Sequence, residues 1–361
     1  MSGPLNDSPP TDTTLDTTDH AAPFTARERW ALAAAAAWVV TGLQVDSFAH
    51  STVPDLETFW TPWHAVLYSG IACCGLVLFW LLRPRLPQTL TYRILLHETP
   101  PALRLPVVGM AFLLVGGAID TLWHNLFGIE KGLEIFFSPS HFLIVIGMAL
   151  VASGPALMLA ASLVRRLAGG DAVLVLISAA LTAIPMHIYT EHAGALEEPL
   201  LGTGDSPMKS FSLDAQMMHG YVGSTVLLLL PILVLARRWS LPAGMPTALV
   251  MIPALAVGLV LGEAQNPWLP ATVAVATALT EVAARTAAPA LRRYSPDTRW
   301  SALGFLAPIA VWGAVLTLGH VIAGVQWPLH MVTGLLTLVA LTGLGTAFVV
   351  RRVTLVPDPA R

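Results

Sequence analysis

From Trp30 to Val350 the chain is a succession of apolar runs of about 18–25 residues joined by more polar links, each run long enough to cross a bilayer core of roughly 30 Å as a helix. No other feature limits the possible folds as strongly. A segment that crosses hydrocarbon must satisfy its own backbone hydrogen bonds, so it is either a helix or part of a closed barrel. The apolar/polar alternation over roughly ten residues that marks a barrel strand does not occur here. Charged residues are 11% and hydrophobic residues 55% of the 361, whereas soluble domains carry about 25% charged residues. These values exclude an ordinary water-soluble enzyme, and they also exclude a disordered chain, which is polar and charged. The only cysteines, Cys73 and Cys74, are adjacent, which leaves neither a disulfide framework nor a CxxC metal knuckle. With a net charge of −3 and no basic run, nucleic acid is not a partner.

The apolar runs fall at 30–48, 62–82, 104–123, 139–163, 172–190, 213–236, 246–262, 269–286, 301–319 and 328–350; the seventh and eighth are rich in Pro and Ala. The expected fold is an all-α, polytopic integral membrane protein with about ten transmembrane helices arranged as five outward hairpins. Residues 1–26, rich in Ser, Thr, Pro and Asp and lacking an apolar signal-peptide core, read as a disordered cytoplasmic tail. The helical domain then covers 27–352, and 353–361 form a second short cytoplasmic tail. Ten spans put 17 of the 19 Lys and Arg residues on one face and leave only Lys131 and Lys209 on the other. By the positive-inside rule both termini are cytoplasmic. The protein is then expected in an inner or plasma membrane, with the opposite face periplasmic or extracellular.

Nine of the eleven histidines map to that opposite face. The first two hairpins repeat one another there. Asp46-Ser-Phe-Ala-His50 is followed by Phe59-Trp60-Thr61-Pro62-Trp63-His64, and Asp120-Thr-Leu-Trp-His124 by Phe136-Phe137-Ser138-Pro139-Ser140-His141, with Gly70 and Gly147 six residues beyond. The segments 30–82 and 104–163 therefore read as a duplicated hairpin. Asp and His at i and i+4 share one helix face. Thr61 or Ser138 as N-cap with Pro62 or Pro139 at N1 puts His64 or His141 in the first turn of the returning helix. There the helix dipole disfavours imidazolium and keeps the ring available to a metal. Two imidazoles and a carboxylate suit Cu, Zn or Fe(II).

The remaining hairpins carry parts of the theme: His187, Glu191, His192 and His219 in the third, Glu263 in the fourth, and His320 and His330 in the fifth. A ring of ligand-like residues at one depth is the expectation. The plainer reading is interfacial capping, in which these side chains satisfy helix ends while Trp60, Trp63 and Trp123 form an aromatic belt. The metal candidates are thus Asp46, His50, His64, Asp120, His124, His141, His187, Glu191, His192, His219, His320 and His330.

The run Asp120-Thr-Leu-Trp-His124 with Phe137-Ser138-Pro139-Ser140-His141 resembles the C subunit of the particulate methane and ammonia monooxygenases. In that family an Asp-x-x-Trp-His segment followed by Phe-Thr-Pro-Ser-His binds copper at the outer side of the membrane. The likeness covers about 25 residues, twice over through the internal repeat. It implies a copper-ligand role for Asp120, His124 and His141 and, through the repeat, for Asp46, His50 and His64.

Two function classes stay open. One is a membrane oxidoreductase in which copper (or iron) at the outer rim oxidises a small apolar molecule arriving from the lipid. With neither a nicotinamide nor a flavin motif, its electrons would come from a partner subunit or a lipid-soluble carrier. The other is a non-catalytic protein that captures or transports copper or zinc.

Overall fold

The computed structural model describes residues 24–53, 61–86, 98–128, 130, 132–190, 207–260, 268–323 and 327–352. Among these the protein is all-helical. The helices are α1 (Ala26–Thr52), α2 (Pro62–Leu82), α3 (Pro101–Phe127), α4 (Pro139–Ala160), α5 (Gly169–Tyr189), α6 (Pro207–Arg238), α7 (Met245–Val260), α8 (Trp268–Leu291), α9 (Pro296–Ala323) and α10 (Leu329–Val350), with a 3₁₀ turn over Gly132–Phe137. Each expected apolar run lies on one of them. Eight are long and apolar enough to cross a membrane, the character of a multi-pass membrane protein. The two that fall short are α7 and α8, the Pro- and Ala-rich pair. As described, α7 is only 16 residues long, and α8 carries Glu281 and Arg285 within an Ala/Thr-rich helix.

Local chemistry sets several helix starts. At α1, Thr25 and Glu28 form a reciprocal capping box, the Glu28 N–H donating to Thr25 Oγ1 and the Thr25 N–H to Glu28 Oε2. Thr61 caps α2 by accepting from the His64 N–H at 3.2 Å, with Pro62 next in sequence. Ser138 departs from expectation. It occupies the N-cap position of α4, but its hydroxyl caps no backbone group and pairs with Ser140 Oγ at 2.8 Å instead.

The two repeated hairpins, α1–α2 and α3–α4, pack together through α1–α4 and α2–α3, and α5 lies against α4 and α1. Lipid is as apolar as leucine, so close approach and van der Waals contact drive this packing more than hydrophobic transfer. The repeat glycines serve that end. A Cβ on Gly70 would lie 2.6 Å from Val39 Cα, and one on Gly147 2.8 Å from the Gly109 carbonyl oxygen. In both hairpins the glycine lets the returning helix press its backbone against the outgoing one. The other half of the bundle gathers α6, α9 and α10 with α7 and α8 around Tyr221, Trp312, Leu269 and Leu335. Large apolar side chains such as Leu76, Leu122, Leu279 and Leu329 project outward, as a lipid-facing surface requires.

The described arginines collect at one end, where several close helix termini. Arg238 donates to the carbonyls of Ala160 and Ser162, Arg237 to that of Val350, and Arg85 pairs with Glu28 at 2.8 Å. The paired Asp/His sets lie at the other end, where α1 and α3 finish and α2 and α4 begin.

Candidate metal centre

Asp46 and His50 stand one turn apart near the end of α1, and His64 stands in the first turn of α2. His64 Nε2 is 3.4 Å from Asp46 Oδ1, and His50 Nε2 is 3.8 Å from Asp46 Oδ2. In the second hairpin His124 Nε2 and His141 Nε2 approach the same oxygen, Asp120 Oδ1, at 3.4 and 3.1 Å. Within each set of three, one atom from each residue lies within 4.8 Å of the others. Ligands at roughly 2.0–2.2 Å around a tetrahedral ion are closer than this, so a modest contraction of each set would close it on a metal.

The sets are neighbours. The His64 and His124 rings are 6.2 Å apart between centroids, about the spacing within each set (5.6 Å for His50–His64, 6.0 Å for His124–His141). Tyr68, one turn beyond His64 in α2, donates its hydroxyl to Asp120 Oδ2 at 3.0 Å, so a side chain of the first repeat orients the carboxylate of the second. Ser140 donates to Asp120 Oδ1 at 3.1 Å.

The outer nitrogens of the rings are also engaged. A carbonyl can only accept a hydrogen bond, so the Ile135 carbonyl, 2.8 Å from His141 Nδ1, fixes the proton on that nitrogen. The Gly128 carbonyl, 3.2 Å away, does the same for His124 Nδ1. In a neutral ring each Nε2 then presents its lone pair toward Asp120, the tautomer a metal needs. Glu130 Oε2 sits 3.1 Å from His124 Nδ1. His64 Nδ1 faces the Thr61 hydroxyl at 3.2 Å. Asp46 Oδ1 is buried and accepts no hydrogen bond, and the same holds for both oxygens of Glu130. Buried carboxylate oxygens are costly to leave unmet, and a cation between Asp46, His50 and His64 would satisfy the first of them. The donor set fits a metal ion on these grounds.

The other described sequence candidates do not join these sets. His187 is buried in α5, and its Nε2 has no hydrogen-bond partner. Tyr189, two residues on, donates to the Phe136 carbonyl and ties α5 to the 3₁₀ turn. His219, His320 and His330 are exposed and belong to neither grouping. Glu191, His192 and Glu263 lie outside the described residues. Among the described residues, the expected ring of five hairpins therefore narrows to the first two. A shared depth says nothing about position around the bundle, and among the described residues the ligand-like groupings are those at the ends of α1–α4.

Sequence reasoning passed over Tyr68, Ser140, Glu130 and the Ile135 carbonyl. Tyr68 carried a usable signal, since it lies at i+4 from His64 and so on the same face. Glu130 and Ile135 sit in a linker whose path the sequence does not specify. No protein-family model matches the chain, and no curated protein or solved structure matches it.

Proposed function

We propose that this is a metal-binding membrane protein whose principal site is Asp120, His124 and His141, with Asp46, His50 and His64 as a second site beside it. One observation carries the reading: both outer Nδ1 atoms of the second hairpin face backbone carbonyls while both Nε2 atoms converge on Asp120 Oδ1 at 3.4 and 3.1 Å. Solvated interfacial caps have no need of that arrangement. Copper is the metal proposed, because a carboxylate with two imidazoles suits Cu(II) and because the Asp120–His141 segment resembles the copper-binding C subunit of the particulate monooxygenases. Iron or zinc would accept the same donors.

In this reading the protein spans an inner or plasma membrane ten times, with α7 and α8 included. Both termini are cytoplasmic, and the histidine-rich end is periplasmic or extracellular, in keeping with the segregation of Lys and Arg. Three protein ligands leave one position open on the ion. A copper ion held there would supply redox and oxygen-activating chemistry, with electrons from a partner subunit or a lipid-soluble carrier, and a small apolar molecule reaching the rim from the lipid is the proposed substrate. The chain's own part is to bind and orient. Asp120 and the two imidazoles hold the ion, Tyr68 and Ser140 fix the carboxylate, and the carbonyls of Gly128 and Ile135 fix the rings.

A second reading, a non-catalytic protein that captures or passes on copper or zinc, is favoured by the closure around Asp120. Its Oδ2 is taken by Tyr68, and its side chain is 5% exposed, which suits a sealed site. Elemental analysis with electron paramagnetic resonance of the detergent-purified protein separates these readings. The oxygenase reading expects a type 2 Cu(II) signal that changes with small apolar molecules and is lost in Asp120→Ala and His141→Ala. Tight zinc with no open position supports metal handling. Equal metal content in wild type and both variants would remove the site altogether.

A further inference from the structure

The half of the bundle remote from the Asp/His sets encloses a cavity of about 390 Å³ between α6, α7, α8 and α9, within the size range of small-molecule sites. Its two ends differ in chemistry. Deep in the bundle the wall is Leu228, Ile232, Val250 and Val311 with Trp312 and Thr225, and the polar hydrogens there are already spent. Trp312 Nε1 donates to Thr225 Oγ1 at 2.8 Å, and Thr225 donates to the Tyr221 carbonyl at 2.7 Å. Thr277 and Thr280, also in the wall, donate to the carbonyls of Val273 and Ala276. An occupant bringing polar acceptors to this depth would find no donor and would lose its hydration. The deep part is built for hydrocarbon.

The outer part is a polar clamp. Glu281 accepts from the Gly244 N–H at 2.9 Å, from Thr247 Oγ1 at 3.0 Å and from Arg285 Nε at 2.8 Å. Arg285 Nη2 donates to the carbonyls of Leu241 and Pro242 at 3.1 and 2.8 Å. These bonds lock the guanidinium at the cavity rim and leave Nη1 outside the clamp. The arginine side chain is 43% exposed, so a head group can reach it. The neighbouring outward face of α8 is apolar, with Val275, Leu279 and Val282 exposed, so the approach lies along lipid.

We propose that this cavity binds a membrane amphiphile, its single hydrocarbon chain running inward to Trp312 and a hydrogen-bond-accepting head group meeting Arg285 at the rim. The site is independent of the metal reading. It lies at the opposite end of the bundle, since Arg238 at the foot of α6 grips the carbonyl of Ala160 at the far end of α4 from His141. The chain can come from two sources, the acyl chain of a phospholipid or the tail of a prenylquinone. A phospholipid there would be a structural lipid, whereas a prenylquinone would place a redox carrier in the bundle.

The test uses the full chain purified in detergent, washed through repeated detergent exchange, and extracted for mass spectrometry. About one chain-bearing amphiphile per protein is expected to survive, and its identity separates the two sources. Filling the cavity with Ala284→Leu and Ala307→Leu is expected to lower retention at least tenfold. Should that variant fold poorly, quenching of tryptophan fluorescence by dibromostearate and by dibrominated phosphatidylglycerol reports on the native cavity, because Trp239 lines it and is 4% exposed. Saturable quenching that falls in Trp239→Phe, and falls further when Trp312 at the deep end is also replaced by Phe, is expected. Equal retention in a folded filled variant overturns the proposal, as does quenching that never saturates or is unchanged in Trp239→Phe.

Discussion

Replacing Glu130 by Gln keeps the side chain's shape and removes its charge beside His124 Nδ1, 3.1 Å away. Glu130 accepts no hydrogen bond from the ring and acts through its charge, which raises the basicity of a ligating imidazole; losing such a neighbour typically weakens metal binding by roughly 10–100-fold. Glu130→Gln is therefore expected to weaken the Asp120 site by about that factor and to leave the Asp46 site unaffected, as read by competition titration against a chelator. Tyr68→Phe tests the link between the repeats. The Asp120 Oδ2 bond at 3.0 Å disappears, and a hydrogen bond to a charged group contributes about 1.5–3 kcal/mol. Its loss is expected to lower metal affinity at Asp120 while the helix content by circular dichroism stays unchanged. The ligand triplets were legible in the sequence because i, i+4 spacing and a Thr/Ser-Pro start fix where Asp46, His50 and His64, or Asp120, His124 and His141, must sit. Glu130 was not legible, because a linker residue meets its partner through a path that no periodicity encodes. The 3₁₀ turn that carries the Ile135 carbonyl to His141 was hidden for the same reason. It lies in the longer of the two repeat linkers, which holds three residues more than its counterpart.

The helices themselves were the most legible level, since each apolar run became one. Their contacts depend on particular small residues. Gly147 faces Gly109 across α3–α4, and a Cβ there would lie 2.8 Å from the Gly109 carbonyl oxygen and 2.9 Å from Leu113 Cγ. Backbone cannot yield as a side-chain tip can, so Gly147→Val is expected to separate the two helices and cost about 1–3 kcal/mol. Because His124 and His141 ride on opposite members of that pair, it should also release metal at the Asp120 site. Thermal unfolding in detergent beside elemental analysis checks both effects, and Gly345→Val, where a Cβ meets nothing within 4 Å, serves as the control. The N-caps show why equivalent sequence need not give equivalent structure. Thr61 bonds the His64 backbone, whereas Ser138 is drawn to Ser140, which in turn holds Asp120. The hydroxyl that would have closed the helix start is committed to the carboxylate network, a choice set by tertiary contact and invisible in the local motif.

At the scale of the molecule the open question is how many helices cross, and the sequence and structure bear on it differently. Among the described residues eight helices are long and apolar enough, while the segregation of Lys and Arg is satisfied by ten spans. Because α7 and α8 are consecutive, removing both from the count leaves every other connection on its original side, so charge bias elsewhere cannot separate eight spans from ten. Only the link between them changes sides. A membrane-impermeant maleimide on intact cells, applied to single cysteines in a Cys73→Ser, Cys74→Ser background, isolates that link. Val53→Cys and Phe137→Cys, at the exposed histidine-rich end, should label from outside. Ser295→Cys, between α8 and α9 among Arg292, Arg293 and Arg299, should label only after permeabilisation. Gln265→Cys decides the count: labelling in intact cells means ten spans, and labelling only after permeabilisation means eight. If Ser295→Cys labels from outside and Val53→Cys does not, the orientation itself is reversed. The Asp/His sets would then face the cytoplasm, and a site that meets metal arriving from outside would lose its physical basis.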